Sequence, residues 1–369
     1  MNSFLQAVDS HNFLIHEFFA KDIASLTRDL LRLESEIDDD ATPVPNDRFH
    51  HELIEILSKS FQACGRIDAQ LSDKPELLEQ VQRRFREETD PWFKKSWFAN
   101  RSRTKPSGFP GDFEMLRMLY QQDHPPTPAR GLGGYLDLCL MVTQLANAVR
   151  GRLKNAKDFL LNEIESRTGD IRILDIASGP CREYMEWPTF GKGRHIEVLA
   201  MDSDPLALEF VDNHVANKLD ETELKTVRHN ALRTRSASAN RRRFGTFDII
   251  YSVGLCDYLP DNLLIEMLAA WRQTLNEDGV LYIAFKDCER YDKIVYQWHL
   301  DWFFFQRTEQ DMIDLFGAAG FNLKAMKQTR DETGIIINFV NRASEQPILR
   351  IDSEETRRVR RKQRVTEKR

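Results

Sequence analysis

Two acids and an amide stand at the ends of successive apolar runs. Asp175 lies at the end of the first, in "IRILDIASGPC"; Asp202 ends "HIEVLAMD"; Asn230 ends "LKTVRHN". The turn after Asp175 carries Ala177, Ser178, Gly179 and Pro180, all small or compact, before a helix-like segment. Small residues at such a turn let the backbone approach a bound group closely. An acid at the end of the next strand is placed to accept hydrogen bonds from ribose hydroxyls, and Asp202 holds that place. Asn230 falls where the third strand would meet a base edge. The fourth run ends "YSVGLCDYLPD", small and polar enough to line a reaction cleft. The turn has neither the evenly spaced glycines of a pyrophosphate loop nor the GK[ST] of a P-loop. A cofactor with a ribose and no pyrophosphate fits it better.

These residues need a scaffold that brings strand ends together. From residue 171 the runs "IRILDIA", "HIEVLAMD", "LKTVRHN", "FDIIYSV" and "GVLYIAF" recur with helical segments mostly between them. That alternation predicts an α/β, Rossmann-like, mostly parallel sheet covered on both faces. "FNLKAM" and "TGIIINFVN", joined by the polar "KQTRDE", predict a terminal antiparallel hairpin. No alternating pattern precedes residue 170, so the N-terminal part reads as all helical. Residues 2–37 have helical spacing, "DDDATPVPND" is a linker, and a helix follows from about 47 to 62. Asp73 is expected to cap the next helix, with Pro75 in its first turn. After Gly134 one long amphipathic run extends to about Glu165. The expected divisions are a helical region 1–168 with a lid-like loop at 100–114, an α/β domain 169–345, and a basic, disordered tail 346–369.

Composition bounds the setting. The chain has 369 residues, 41% apolar, and a net charge of −6, which argues against a protein built mainly to bind nucleic acid. No uncharged apolar stretch reaches the roughly 18 residues of a membrane span, and "MNSFLQAVDSHNF" lacks the form of a signal peptide. Five scattered cysteines without a CxxC pair indicate neither a disulfide framework nor zinc, and a reducing cytoplasm is the expected location. Two segments are strongly basic, "RTRSASANRRR" (233–243) and the tail "RRVRRKQRVTEKR". They read as a solvated loop and a frayed end, or as contacts for anionic lipid or nucleic acid.

The Asp175–Cys181 turn, Asp202, Asn230 and "NEDGVLYIAF" together resemble the class I S-adenosylmethionine-dependent methyltransferases over about residues 171–342. The resemblance implies seven strands with the last antiparallel. It implies that Asp175, Ala177, Ser178 and Gly179 approach the methionine part and ribose of S-adenosylmethionine. Asp202, with Ser203 beside it, would hold the ribose hydroxyls. Asn230 and Ala231 would border adenine, and Ser252 and Gly254 would lie beneath the sulfonium. Ala177 departs from the Gly-rich form of the turn. A Rossmann-like domain using NAD, or no cofactor, is the alternative. More narrowly, "RSRTKPSGFPGDFEML" and "NAVRGRLK" resemble a bacterial subgroup that makes the methyl ester of 3-hydroxypalmitic acid, so methyl ester biosynthesis is the implied activity.

The 100–114 segment has its own chemistry. Pro106, Gly108, Pro110 and Gly111 stiffen and turn the backbone; Arg101, Arg103 and Lys105 cluster beside Phe109 and Phe113; Asp112 is placed to cap the next helix. It reads either as a structural connection or as a lid whose cations meet an anion while its aromatics exclude water. A carboxylate acceptor needs no general base, whereas a hydroxyl or ammonium does. No convincing base stands out, no NPPY-like motif follows the fourth strand, and no set of metal-binding carboxylates is evident, so no metal is expected. His299 lies in "YQWHLDWFFFQR", read as a helix with Trp298, Trp302 and Phe305 on one face. It is either a packed residue or the base or hydrogen-bond donor of an apolar acceptor pocket formed with Trp298 and Trp302. Tyr258 is weighed in the same way, as packing or as substrate contact. Cys181 and Cys256 read as small fillers. The leading expectation is O-methylation of a small or lipid-like carboxylate, possible hydroxy fatty acids included. The runner-up is N- or O-methylation of another metabolite through His299 or Tyr258. RNA methylation and non-catalytic cofactor binding are the remaining readings, and the oligomeric state stays open.

Overall fold

A computed structural model describes residues 12–120, 129–188 and 194–345. The basic tail from residue 346 lies outside the described residues, as do residues 1–11 of the first helical run. A π-helical turn, Phe18–Ile23, leads into α1, Ala24–Glu36, and the periodic apolar positions Phe18, Ile23, Leu26, Leu30 and Leu33 are buried. Asp47 caps α2, Arg48–Gln70, accepting from the backbone N–H of His50 at 2.8 Å. Helix α3, Pro75–Phe93, begins with Pro75 as expected, but its N-cap is Lys74 rather than Asp73. The 100–114 segment is partly helical. Ser96 caps α4, Trp97–Thr104, and Asp112 accepts from the N–H of Met115 at 2.9 Å at the start of α5, Phe113–Tyr120.

The single long helix expected after Gly134 is two. Helices α6, Gly131–Met141, and α7, Gln144–Ser166, meet at a 57° bend. The bend falls at Val142-Thr143, two β-branched residues of weak helix preference, where the Thr143 hydroxyl donates to the carbonyl of Leu140 at 2.8 Å. No single helix among the described residues is long and apolar enough to cross a membrane.

The sheet has seven strands: β1 Ile171–Ile176, β2 Ile196–Asp202, β3 Thr222–Arg228, β4 Phe247–Val253, β5 Leu275–Lys286, β6 Lys327–Arg330 and β7 Ile336–Arg342. Their order is β3-β2-β1-β4-β5-β7-β6. The first five are parallel, while β7 is antiparallel to both β5 and β6. Order reverses between β1 and β4, which opens a crevice at the carboxyl ends of the strands. Alternate residues point to opposite faces. Ile173, Val198, Ile249, Tyr251 and Tyr282 join one buried cluster with α7 and the N-terminal helices. Leu174, Ile176, Ile250, Leu281 and Ile283 join another with the helices Asp261–Thr274 and Glu309–Ala318. The helical region therefore shares a continuous core with one face of the sheet.

The terminal hairpin is shifted from expectation. β6 is the polar "KQTR" expected to be its turn, and "FNLKAM" is not a strand. Phe321 instead follows the preceding helix: Gly320 turns the chain at φ 86°, and Phe321 packs edge-on against Phe316 at 5.2 Å. The basic 233–243 segment is also more ordered than a loop. A short 3₁₀ turn, Ala231–Arg235, precedes a helix, Ala237–Phe244, with the Ser236 hydroxyl accepting from Ala239 N–H.

Candidate functional site

A cavity of about 340 Å³ opens at the carboxyl ends of β1, β2 and β4, roofed by residues of α4, α5 and α7. Its floor begins at the turn after β1. Ala177, Gly179 and Cys181 all take left-handed backbone angles, φ 60°, 55° and 48°. Two hydrogen bonds lash this turn to the end of β2: Ser178 N–H to the Met201 carbonyl at 3.1 Å and Gly179 N–H to Asp202 Oδ2 at 2.9 Å. A side chain at Gly179 would meet Leu116 at 3.4 Å in a conformation that L-residues rarely adopt. Ala177 accepts that conformation at a cost. Ala177→Gly is expected to stabilise the fold by about 1 kcal/mol, read as a shift of the urea midpoint at unchanged slope.

Asp202 is fixed on both oxygens, with Oδ1 accepting from Asp204 N–H at 2.9 Å and Oδ2 from Gly179 N–H. Burial pushes its carboxyl up while those backbone N–H groups pull it down, and the net direction is upward. Asp202 lines the cavity, as do Ser203, Asp204, Ala207, His229, Asn230, Ala231 and Leu232. Asn230 Oδ1 is engaged locally, accepting from Leu232 N–H at 2.9 Å.

Of the expected cofactor positions, Ala177, Gly179, Asp202, Ser203, Asn230, Ala231 and Gly254 line the cavity, and Asp175, Ser178 and Ser252 do not. Ser252 is fully buried and donates to the Ile176 carbonyl at 2.9 Å, joining β4 to β1. Asp175 lies beneath the turn beside Glu183, Tyr251 and Cys181, with Cys181 Sγ 3.7 Å from its Oδ2. The Tyr251 hydroxyl donates to Glu183 Oε1 at 2.5 Å. Burial and mutual repulsion hold the Asp175 carboxyl far above its ordinary range, and burial raises that of Glu183. These acids support the turn from below.

The far end of the cavity is aromatic, with Phe98, Phe109, Phe113, Tyr258, Tyr296, Trp302 and Phe304 on its wall. Trp302 Nε1–H donates to the Tyr258 hydroxyl at 2.7 Å. Burial pushes the Tyr258 phenol up, so it keeps its own proton and can donate it. Gly111 lies against this pair: a Cβ there would sit 2.8 Å from both Trp302 Cζ2 and Tyr258 Oη. Gly111→Ala is expected to cost about 1–3 kcal/mol, the range for overpacking. A thermal melt checks this, and an unchanged midpoint would mean that the loop moves aside freely.

His299 and Trp298 belong to the core instead of the cavity wall. His299 is fully buried, with Nε2 2.9 Å from Ser60 Oγ and its ring against Phe61 and Phe85 at 4.7 and 4.8 Å. Burial lowers its pKa to about 3. Trp298 Nε1–H donates to Asp68 at 3.0 Å. The expected helix is a short π-turn, Val295–His299. Asp301, at φ 52°, then turns the chain into an extended segment with Trp302 and Phe304 inward and Phe303 and Phe305 outward.

The loop cations also point away from the cavity. Arg101 pairs with Asp112 through two contacts, 2.8 and 2.7 Å. Arg103 donates to the His299 carbonyl at 2.8 Å and stacks over Phe93 at 4.6 Å, with burial lowering its pKa to about 10. Lys105 pairs with Asp301. These bonds staple the loop to residues 299–301. Phe109, Gly111 and Phe113, and none of the three cations, reach the cavity.

Two buried cations missed in the sequence line the cavity, Arg152 and Lys286. Lys286 ends β5, ion-pairs with Asp257 and sits 4.2 Å over the Phe304 ring, and burial lowers its pKa. Arg152 interrupts the apolar stripe Leu145, Val149, Ala156, Leu160 and Ile164 of α7, a signal visible in the spacing. Among the described residues no group of three or more His, Cys, Asp or Glu side chains could hold a metal.

The strand order, the antiparallel β7 and the crevice beside Asp202 define a class I methyltransferase-like fold. No family model and no curated protein matches the chain. Among solved structures, a possible exported protein from Bordetella parapertussis is 16% identical at a TM-score of 0.49, covering 63% of this chain and 79% of that one. Magnesium protoporphyrin IX methyltransferase from Synechocystis PCC 6803, with bound S-adenosylmethionine, is 10% identical at 0.38, covering 53% and 82%. A TehB-like S-adenosylmethionine-dependent methyltransferase from Corynebacterium glutamicum is 16% identical at 0.32, covering 52% and 86%.

Proposed function

We propose that the protein is an S-adenosylmethionine-dependent methyltransferase that methylates an oxygen of a small or lipid-like carboxylate. The observation that carries this reading is the convergence of the β1 turn, Asp202 and Gly254 on one cavity at the switch point of the sheet. The residues present fit the cofactor. Gly179 keeps the turn free of a side chain, Asp202 presents an anchored carboxylate to a ribose, and Ala231 and Leu232 offer an apolar edge to a base. When bound, S-adenosylmethionine supplies an electrophilic methyl group.

The protein's part is alignment and exclusion of water. Phe98, Phe113, Trp302 and Phe304 dry the acceptor end. A carboxylate suits it because the groups there are poor bases: the Tyr258 phenol holds its proton, and Lys286 is tied to Asp257. A second apolar hollow of about 150 Å³, lined by Ile54, Leu57, Phe61 and Leu140, shares Thr143 with the first. This supports a lipid-like body on the acceptor and agrees with the loop's resemblance to the hydroxy fatty acid subgroup. Incubation with methyl-labelled cofactor and a panel of fatty, hydroxy fatty and polar carboxylic acids, amines and RNA tests the acceptor. Label in a base-labile ester of a carboxylic acid is the expected result. Label confined to amine or RNA products would overturn the acceptor class.

A further inference from the structure

Arg152 is more buried than its partners explain. It is 3% exposed on the cavity wall, yet among the described residues its one side-chain hydrogen bond is Nη2 to the Tyr120 hydroxyl at a long 3.3 Å. Its Nε is buried without a partner, and no carboxylate lies within ion-pair distance of it among the described residues. A guanidinium offers five donors in a fork shaped for a carboxylate. Burying it with most of them unmet is costly, and an anion would offset that cost.

The surroundings are built around this guanidinium. Gly254, at the end of β4, has φ 102°, and a Cβ there would lie 2.6 Å from Arg152 Nη1. The backbone is cut back where the guanidinium enters the cavity. Other charges nearby leave the role open to Arg152. Lys286 is already neutralised by Asp257. Asp175 and Glu183, the acids below, do not line the cavity, and neither is within ion-pair distance of Arg152.

We propose that Arg152 is the anion receptor of the cavity, its guanidinium packed on Gly254 and taking a ligand carboxylate in a two-point contact on its cavity side. The inference rests on the methyltransferase reading, which supplies two candidate carboxylates: the one on the amino-acid part of S-adenosylmethionine and the one on the acceptor. Titration calorimetry separates them, using wild type, Arg152→Gln and Arg152→Lys, each checked for a folded melting transition. S-adenosylmethionine is compared with its decarboxylated form, and a carboxylic acid acceptor with its primary alcohol in the presence of S-adenosylhomocysteine. If the cofactor's carboxylate is held, wild type prefers S-adenosylmethionine by roughly ten- to a hundredfold. Arg152→Gln then binds both forms alike, and Arg152→Lys regains part of the preference. If the acceptor's is held, the cofactor preference is untouched and the acid-over-alcohol preference collapses in Arg152→Gln. Both preferences unchanged in both variants would overturn the proposal. So would equal loss of charged and uncharged ligands, which marks a purely structural role. Should Arg152→Gln fail to fold, Arg152→Lys and the wild-type preferences still decide. Wild type binding neither form of the cofactor would instead sink the methyltransferase reading itself.

Discussion

Asp202→Ala is expected to weaken S-adenosylmethionine binding by roughly ten- to a hundredfold, the equivalent of about 1.5–3 kcal/mol for hydrogen bonds to a charged group. The effect has two sources. The ligand loses an anionic acceptor for its ribose. The turn loses the anchor that holds Gly179 N–H, since Asp202 Oδ2 accepts from it at 2.9 Å while Oδ1 accepts from Asp204. Asp202→Asn keeps the shape, but its NH₂ must face a backbone N–H or the ligand. Its loss should approach that of alanine. Unchanged affinity in both variants would remove Asp202 from the site.

The second large effect is on stability and lies far from the cavity. Burial holds the His299 pKa at about 3 in the folded protein, whereas the unfolded chain takes up that proton near 6.5. Between those values the unfolded state binds more protons, so stability falls as pH falls, by up to about 1.4 kcal/mol per pH unit. From pH 6.5 to 5, above most carboxylate titrations, the loss from this residue approaches about 2 kcal/mol. Burial also lowers the pKa values of His50 and His229, but they act equally in both proteins when wild type is compared with His299→Gln. The variant should be less stable at pH 7, because it loses the Ser60 contact and the packing against Phe61 and Phe85. It should also show a flatter stability profile between pH 6.5 and 5. Parallel profiles from urea melts would show that the imidazole titrates normally. A carboxylate acceptor and a neutral His299 together also imply a single-turnover rate that is flat from about pH 6.5 to 9, by analogy with ordinary carboxylates.

Legibility in the sequence followed burial. Strands covered on both faces are continuous apolar runs, so β1, β2, β4 and β5 and the residues at their ends could be read directly. β6 pairs on one side only and faces solvent, so "KQTR" carries no apolar pattern, while the buried Phe321 nearby imitates a strand. The α6–α7 bend is hidden because apolar periodicity continues across Val142-Thr143. The cavity lining divides in the same way. Ala177, Asp202, Asn230 and Gly254, placed by strand ends, line it, whereas the loop charges have partners far along the chain and point elsewhere. Arg103 and Lys105 look like free donors until the His299 carbonyl and Asp301 arrive from almost two hundred residues away. His299 among aromatics reads equally as a pocket or a core, and only tertiary packing distinguishes them. Arg152 was visible as a charge on an apolar stripe, a conflict between local pattern and burial of the kind that functional sites produce.

If the crevice between β1 and β4 is a site for an adenosyl amino acid, it should hold S-adenosylhomocysteine and reject a dinucleotide. Calorimetric titration of the full-length protein with S-adenosylhomocysteine, beside NAD as the competing nucleotide, tests it most directly. One-to-one binding of S-adenosylhomocysteine, strongly weakened in Asp202→Ala and absent with NAD, is the expected result. Binding of NAD alone, or no binding of either, would contradict it.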